Sequence, residues 1–275
     1  MESISLPPAF NPGGVAVVTG GAGGIGFAIA ARLAERGLKV VITDLPGEKL
    51  DAAARELGGN VTAIAADVAD AADVARLRDR VLADHGPVAV LVNNAGIGSN
   101  PGQPWENPQG WEKLLRINLM GVLHVAQAFV PGMLASGKPG AVIHSGSKQG
   151  ITSPPGNPAY NLSKAGVRNY TESLAHALRE EAGDRVSAHL LIPGFTQSGM
   201  TGEAEGAWTA DQVALFMFES IARGDFYILC PDNDVDRATD EKRMRWAMDD
   251  IIENRPALSR WHPDYKDAFA RYMAE

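Results

Sequence analysis

Residues 15–26 read VAVVTGGAGGIG, and this stretch decides the fold of the chain. Val15 to Val18 form a short, continuously apolar run, which is typical of a strand buried on both faces of a parallel sheet. The strand runs into a glycine-rich turn that includes Gly20, Gly23, Gly24 and Gly26. The segment 27–37, FAIAARLAERG, then has the pattern of a helix closed by a glycine. A strand, a glycine turn and a helix in this order predict a site where the backbone approaches a pyrophosphate at a helix N-terminus.

A carboxylate ends the second predicted strand. Leu38 to Thr43 is mostly apolar, and Asp44 follows it, eighteen residues beyond Gly26. At that spacing a carboxylate accepts hydrogen bonds from both hydroxyls of an adenosine ribose and repels a 2′-phosphate. Because Leu45 comes next and the glycine turn carries no Lys or Arg, the sequence favours NAD over NADP. The alternative is that Asp44 caps the helix that begins within PGEKL (46–50).

The same alternation of strands and helices continues along the chain. A third strand, Val61 to Ala66, ends at Asp67-Val68, where Asp67 has two compatible predicted roles: to bind an adenine amino group and to N-cap the next helix. A fourth, Val88 to Val92, opens into Asn93-Asn94-Ala95-Gly96, a polar turn with small residues. Further strands are predicted at 141–144, 186–192 and 226–230, with helices at 48–57, 71–85, from about 111, and 160–181. With no repeat and no linker, this pattern predicts an α/β fold: a single-domain, Rossmann-type doubly wound parallel sheet of about seven strands, with helices on both faces.

The stretch from His144 to Val167 carries residues suited to acid–base chemistry. Tyr160 and Lys164 stand four residues apart at the start of a predicted helix, so their side chains are neighbours on one face. A tyrosine pKa of about 10 is too high for catalysis at neutral pH, and a nearby ammonium stabilises the phenolate and lowers that pKa. Ser147, just beyond a strand, would reach the tyrosine across a Gly/Pro-rich loop. The alternative for the Tyr-Lys pair alone is a chance pattern on a solvated helix.

Asn118 lies inside an apolar helical pattern that begins near Trp111. Asparagine favours caps and turns over helix interiors, so a buried Asn118 needs hydrogen-bond partners. The sequence therefore predicts a polar network of Asn118 with backbone and water.

These motifs together resemble the short-chain dehydrogenase/reductase family over about the first two hundred residues. They are Thr19-Gly20-x-x-x-Gly24-x-Gly26, Asn93 to Gly96, Asn118, Ser147 and Tyr160-x-x-x-Lys164. The resemblance implies that Tyr160 is the general acid/base and that Lys164 lowers its pKa and holds the nicotinamide ribose. It also implies that Ser147 orients the substrate oxygen and that Asn118 anchors a water that relays protons to Lys164. A hydride would pass directly between nicotinamide C4 and a carbinol or carbonyl carbon.

The predicted cofactor contacts come from the motifs and from this resemblance. They are Gly20, Gly23, Gly24, Ile25, Gly26, Asp44, Leu45, Asp67, Val68, Asn94, Ala95, Gly96, Tyr160, Lys164, Pro193, Gly194, Phe195 and Ser198. After Pro-Gly the family often places a threonine near the cofactor carboxamide; Ser198 holds that place and Thr196 is two residues early, so both stay open. No metal site is predicted.

Apolar and aromatic side chains flank the predicted nicotinamide pocket. Its predicted residues are Ser147, Tyr160, Phe195, Met200 and Trp105, whereas Trp208, Phe216 and Met217 belong either to the pocket or to the core. This set favours a hydrophobic, aromatic or cyclic, secondary alcohol or its ketone, because polyol sites need several hydrogen-bonding side chains. Two alternatives stay open: a polyol or sugar alcohol as substrate, and a protein that binds NAD(H) as a sensor or scaffold without turnover.

Composition limits partners and location. The net charge of -8 argues against nucleic acid or an anionic membrane as the main partner. A single cysteine, Cys230, fits a reducing compartment. The first ten residues, MESISLPPAF, lack a basic region ahead of an apolar run, and no apolar segment is expected to approach the ~20 residues that span a bilayer. The sequence therefore predicts a soluble, cytoplasmic protein.

The segment 232–275 departs from the family, which usually closes with a glycine-rich strand. Its aromatic residues make it too apolar for a disordered tail: Trp246, Trp261, Tyr265, Phe269 and Tyr272. We expect this C-terminal extension to pack on its own subunit or on a partner, and to narrow the pocket entrance. The family also implies a homodimer or homotetramer, built through the helices that begin near Trp111 and Tyr160.

Overall fold

The computed structural model describes residues 5–197 and 205–275. Within these ranges seven strands form one parallel sheet in the order β3-β2-β1-β4-β5-β6-β7. The strands are β1 Val15–Thr19, β2 Lys39–Thr43, β3 Val61–Ala63, β4 Val88–Asn93, β5 Gly140–Ser145, β6 Val186–Ile192 and β7 Tyr227–Leu229. The prediction of a Rossmann-type doubly wound parallel sheet is confirmed. The third strand is shorter than expected, although its chain continues beside β2 through a bond from the Ala66 amide to the Asp44 carbonyl oxygen, 3.0 Å long.

Helices cover both faces of the sheet. They are α1 Gly24–Glu35, α2 Glu48–Leu57, α3 Ala71–His85, α4 Pro108–Leu115, α5 Gly121–Ala135, α6 Gln149–Thr152, α7 Pro158–Ala182, α8 Ala210–Ala222, α9 Arg237–Ile252 and α10 Lys266–Ala274. Alternate residues of β1 enter opposite cores, since Ala16 and Val18 pack beneath α1 and α8 while Val15 and Val17 pack beneath α3 and α5. Burial on both faces explains why the strand is apolar at every position.

A π turn, Arg116–Met120, joins α4 to α5 into one long helical stretch. Among the described residues this stretch, Pro108–Ala135, is long and apolar enough by length and composition to cross a membrane, which corrects the expectation that no segment approaches that limit. Of its apolar window 44% is buried inside the protein, and Val125 and Phe129 lie in the core. Core helices of globular domains pass the same test, so the stretch is weak evidence for a membrane span.

The C-terminal extension folds into α9, two short 3-10 turns and α10. The ring of Trp246 lies 5.2 Å from those of Phe269 and Tyr272, and its Nε1 donates a 2.8 Å hydrogen bond to Ser259 Oγ. The guanidinium of Arg255 covers the same indole at 4.4 Å. These aromatic side chains therefore pack mainly on one another, and α9 rests against α6.

Candidate active site

A cavity of about 640 Å³ opens at the carboxyl ends of the strands, around the point where the strand order reverses between β1 and β4. Open parallel sheets bind their ligands in this crevice. Most of the predicted site residues line it: Gly20, Gly23, Gly24, Ile25, Asp44, Leu45, Asp67, Val68, Asn94, Ala95, Gly96, Ser147, Tyr160, Lys164, Pro193, Gly194 and Phe195. The topology thus brings into one cavity residues from across the sequence.

The remaining predicted residues lie elsewhere. Gly26 and Asn118 stand behind the cavity wall and are described below. Trp105 is a correction to the predicted pocket, because its side chain is 81% exposed in a surface turn and does not line the cavity. Ser198 and Met200 lie outside the described residues. Thr196 does line the cavity, and its hydroxyl donates to the Gly194 carbonyl oxygen at 3.1 Å.

The other aromatic candidates do not line the cavity as described. Met217 is fully buried in the core, and Phe216 packs beside Trp208 with ring centroids 5.8 Å apart. Of the two alternatives, pocket or core, these residues therefore follow the second. The aromatic rings of the C-terminal extension are also absent from the cavity lining, which corrects the expectation that they narrow its entrance. Phe269 and Tyr272 pack on Trp246 instead. Trp261 lies beneath the guanidinium of Arg260, and Tyr265 lies against His262.

The glycine turn is shaped by contacts that side chains would block. Gly20 and Gly24 have φ of +64° and +54°, a region that favours glycine. A Cβ on Gly26 would lie 2.2 Å from the Gly20 carbonyl oxygen. At the start of α1, Gly23 supplies no side-chain cap, and Gly23, Gly24 and Ile25 border the cavity. The first N–H groups of the helix are therefore available to a pyrophosphate, so this turn fits a dinucleotide.

The Asp44 carboxylate is held at the edge of the turn. Its Oδ2 accepts a hydrogen bond from the Ala22 amide at 3.3 Å and its Oδ1 one from the Leu45 amide at 2.9 Å. Neither bond caps α2, whose N-cap residue is Gly47. The carboxylate therefore faces the cavity, as expected of a group that binds the ribose of a cofactor.

Lys49 is a cavity residue that sequence reasoning missed. It lies on α2 and its Nζ is 3.1 Å from the position of a Cβ on Gly23. The cofactor prediction considered cations only inside the glycine turn, whereas Lys49 approaches the turn from the next helix. The sequence signal for this contact is that Lys49 lies in the first turn of α2, the helix that follows Asp44. An ammonium here attracts phosphate groups, so a cation lies beside the glycine turn although the turn itself carries no Lys or Arg.

Tyr160 begins α7 beside its two proposed partners. The N-cap residue Asn157 accepts a hydrogen bond from the Tyr160 amide at 3.2 Å and fixes the start of the helix. The Tyr160 side chain is hydrogen-bonded to Ser147. One helical turn on, Lys164 Nζ lies 5.7 Å from the Tyr160 ring centroid and donates to the Ser145 carbonyl oxygen at 2.8 Å. Hydroxyl, phenol and amine thus converge on the same part of the cavity.

Burial governs the protonation of this set. Burial raises the pKa of Tyr160 above its usual value, and the hydrogen bond with Ser147 opposes this rise. Burial also lowers the pKa of Lys164 to about 8. The expectation that Lys164 lowers the pKa of Tyr160 is therefore not met by this geometry, since desolvation dominates and the amine bonds to a carbonyl oxygen.

Asn118 has the backbone partners that its position requires. It lies in the π turn, a helical irregularity frequent at functional sites, and is fully buried. Its Oδ1 accepts from the Ile97 amide and its Nδ2 donates to the Ile97 carbonyl oxygen, both at 2.8 Å. A Cβ on Gly96 would lie 3.3 Å from Asn118 Oδ1 and 3.9 Å from Lys164 Nζ. Asn118 is thus placed beside Lys164, with the backbone of the loop after β4 between them.

A parallel sheet with a glycine turn in its crevice, and a Ser-Tyr-Lys set in the same cavity, define a dinucleotide-binding oxidoreductase. Residues 14–207 match the family model described as short chain dehydrogenase. The chain belongs to the short-chain dehydrogenase/reductase family, whose members bind NAD or NADP.

Individual relatives agree with this assignment. The chain is 35% identical over 245 residues to a 1-deoxy-11-beta-hydroxypentalenate dehydrogenase of Streptomyces avermitilis, covering 84% of this chain and 89% of the relative. A short chain dehydrogenase/reductase from Burkholderia phymatum, solved in complex with NAD, superposes with a TM-score of 0.82 at 31% identity, covering 90% of this chain and 97% of that one. A metagenomic short-chain oxidoreductase in complex with NADP has a TM-score of 0.68 at 32% identity, covering 80% and 98%.

Proposed function

We propose that this protein is an NAD-dependent alcohol dehydrogenase or ketone reductase acting on a hydrophobic, aromatic or cyclic, secondary alcohol or its ketone. The observation that carries the proposal is the meeting of Ser147, Tyr160 and Lys164 in the cavity that begins at the glycine turn. A bound nicotinamide would supply the hydride donor or acceptor. A cytoplasmic location is part of the proposal.

The residues of the chain divide the remaining work. Tyr160 gives a proton to the substrate oxygen in reduction and takes it in oxidation, and the Ser147 hydroxyl orients that oxygen. Lys164 holds the nicotinamide ribose, and Asn118 anchors a water that carries protons to Lys164. Burial of the phenol and the amine excludes bulk solvent from the proton path.

The protonation of Tyr160 predicts a pH dependence of opposite sign in the two directions. Burial raises the pKa of Tyr160 above its usual value, so the phenol is protonated at neutral pH. Oxidation needs the ionised phenol as its proton acceptor, so its kcat/KM should rise with pH across the alkaline range, and kcat/KM for reduction should fall. Steady-state kinetics from about pH 6 to about pH 10 measure both. An oxidation rate that falls across this range contradicts the assignment.

The preference for NAD rests on the Asp44 carboxylate at the cavity edge. Replacing Asp44 with alanine and Leu45 with arginine removes a repulsive charge and adds a bidentate phosphate ligand, so preference should shift toward NADP. The ratio of kcat/KM values for the two cofactors measures the shift. Lys49→Ala is the matched control and should weaken both cofactors without reversing the preference. A wild-type enzyme that prefers NADPH would reject the role of Asp44.

Substrate class is supported by the apolar part of the cavity lining. Phe195, Ile97 and Ile117 line it together with the catalytic set. A panel of apolar secondary alcohols and of polyols, followed by reduced-cofactor fluorescence, tests the proposal directly. Faster oxidation of sorbitol than of cyclic alcohols would overturn the substrate class. Binding of NAD(H) without turnover of any member would favour the sensor or scaffold alternative.

We also propose self-association through the helices around α5 and α7. Met120, in the π turn that precedes α5, is 41% exposed, and Leu162 on α7 is 52% exposed, which leaves apolar surface for a second copy. Symmetric pairing is the usual form of soluble oligomers. Light scattering should find a homodimer or homotetramer of the 29.1 kDa chain at micromolar concentration. A monomer alone under these conditions would contradict this prediction.

A further inference from the structure

A buried ionic cluster lies beside the candidate active site and takes no part in the chemistry proposed above. Lys148 directly follows Ser147, and its Nζ lies 3.1 Å from Asp232 Oδ2 and 2.5 Å from Asp240 Oδ2. The side chains of Lys148, Asp232 and Asp240 are 16%, 5% and 5% exposed. Lys148 also lines the cavity. Both carboxylates belong to the C-terminal extension, so the cluster joins that segment to the catalytic loop.

Asp232 bonds to two further segments of backbone. Its Oδ2 accepts a hydrogen bond from the Phe195 amide at 3.2 Å. Its Oδ1 accepts bonds from the amides of Asp234 and Val235 at 3.2 Å and 2.7 Å. This one carboxylate therefore ties the loop after β6, which borders the cavity, to the first turn of the extension.

Gly194 shows how closely the cluster approaches the cavity wall. A Cβ at Gly194 would lie 2.5 Å from Asp232 Oδ2 and 3.0 Å from Lys148 Nζ. The ammonium and the carboxylate thus press against the backbone of the Pro193-Gly194-Phe195 segment. The cluster therefore adjoins this segment on one side, and on the other side Lys148 is bonded in sequence to Ser147.

Stability alone is a poor account of the cluster. Removing charges from water costs several kcal/mol per ion, and well-packed apolar residues often stabilise a core equally well or better. Burial raises the pKa of Asp240, which is the expected sign of that cost. An ion cluster differs from apolar packing because its hydrogen bonds are directional. These bonds fix where each backbone segment lies.

We infer that Lys148, Asp232 and Asp240 form an ionic clasp through which the C-terminal extension positions Ser147 and the Phe195 backbone for the reaction. They are positioning residues, since none is assigned contact with the reacting atoms. The inference rests on the proposed function and assigns the extension a part in the active site.

The test removes the clasp while avoiding an unpaired buried cation. In Lys148→Met with Asp240→Leu, Asp232 keeps its three backbone bonds and the net charge of the cluster is unchanged. We expect kcat for alcohol oxidation to fall about tenfold to a hundredfold, the scale expected of a small misplacement of reacting groups. The KM for NAD should stay close to that of the parent enzyme. The Tm should fall because Asp232 is left buried without its cation, so kcat is compared below the lower Tm. The matched control is Arg237→Met with Glu241→Leu, an exposed ion pair at 2.9 Å on the same helix, which should leave kcat unchanged.

Each outcome decides the inference. An unchanged kcat in the clasp variant, with turnover intact in the parent enzyme, overturns the clasp and leaves the proposed function standing. Absence of turnover in the parent enzyme with every substrate rejects both. If the double variant does not fold, Lys148→Arg and Lys148→Gln are compared below the lower Tm. The clasp requires the arginine variant to retain at least about tenfold more kcat than the glutamine variant, and equal values overturn it.

Discussion

Replacing Tyr160 with phenylalanine is expected to lower turnover by about 10²-fold to 10⁴-fold while cofactor binding survives. Only the hydroxyl is removed, so the ring still packs at the start of α7 and the glycine turn is untouched. The lost group is the one that Ser147 hydrogen-bonds and that gives or takes the proton. Steady-state assays measure the loss of kcat, and a fluorescence titration with NADH measures whether cofactor binding survives.

Tyr170→Phe is the matched control for this experiment. Tyr170 lies on the same helix and stacks on His144 with centroids 5.7 Å apart, outside the cavity lining. Its hydroxyl is not assigned a role, so the variant should keep kcat within a few-fold of the parent. A loss of less than about tenfold in Tyr160→Phe would remove Tyr160 from the mechanism.

The second large effect is expected from Gly26→Ala. The new Cβ would lie 2.2 Å from the Gly20 carbonyl oxygen and 2.6 Å from Asn94 Nδ2, so the turn must move. Overpacking of this kind lowers the free energy of unfolding by about 1–3 kcal/mol. Because the displaced backbone is the part that faces a pyrophosphate, NADH affinity should weaken by about tenfold or more.

Gly132→Ala separates this clash from the general effect of adding a methyl group to a helix. Gly132 is exposed in α5, and a Cβ there has nothing within 4 Å. Alanine should therefore stabilise the protein by about 0.5–1 kcal/mol through its helix preference. Chemical denaturation measures both variants. Equal stability and equal NADH affinity for Gly26→Ala and the parent would show that the turn is not held by this contact.

The fold and the placement of Tyr160 and Lys164 in one cavity were predictable because their signals are local. A continuous apolar strand, a glycine turn and a helix occupy adjacent residues, and Tyr160 and Lys164 are one helical turn apart. Periodicity and spacing express such relations directly. The buried partners of Asn118 were predictable for a similar reason, since a mid-helix asparagine must satisfy its amide somewhere.

Other features depend on distances that sequence spacing does not report. Lys148 donates a hydrogen bond to Asp232, which lies 84 positions later in the chain, and nothing in the sequence near either residue indicates this ion pair. The pKa of Tyr160 depends on whether desolvation outweighs a neighbouring cation, which only the burial of both groups decides. The exposure of Trp105 was likewise invisible, because an aromatic residue in a loop suits a pocket wall and a surface turn equally well.

The π turn at Arg116–Met120 makes the chain sensitive to length as well as to composition. Each helical residue advances the chain by about 100° around the axis, and a π turn holds one residue more than a regular α-helical path. Deleting a single residue here would let α4 and α5 merge into one regular helix with the phase of α5 nearly kept, so Val125 and Phe129 would stay in the core. The local path that brings Asn118 to the Ile97 backbone would change instead. A one-residue deletion within the π turn should therefore disturb the candidate site before it disturbs the fold.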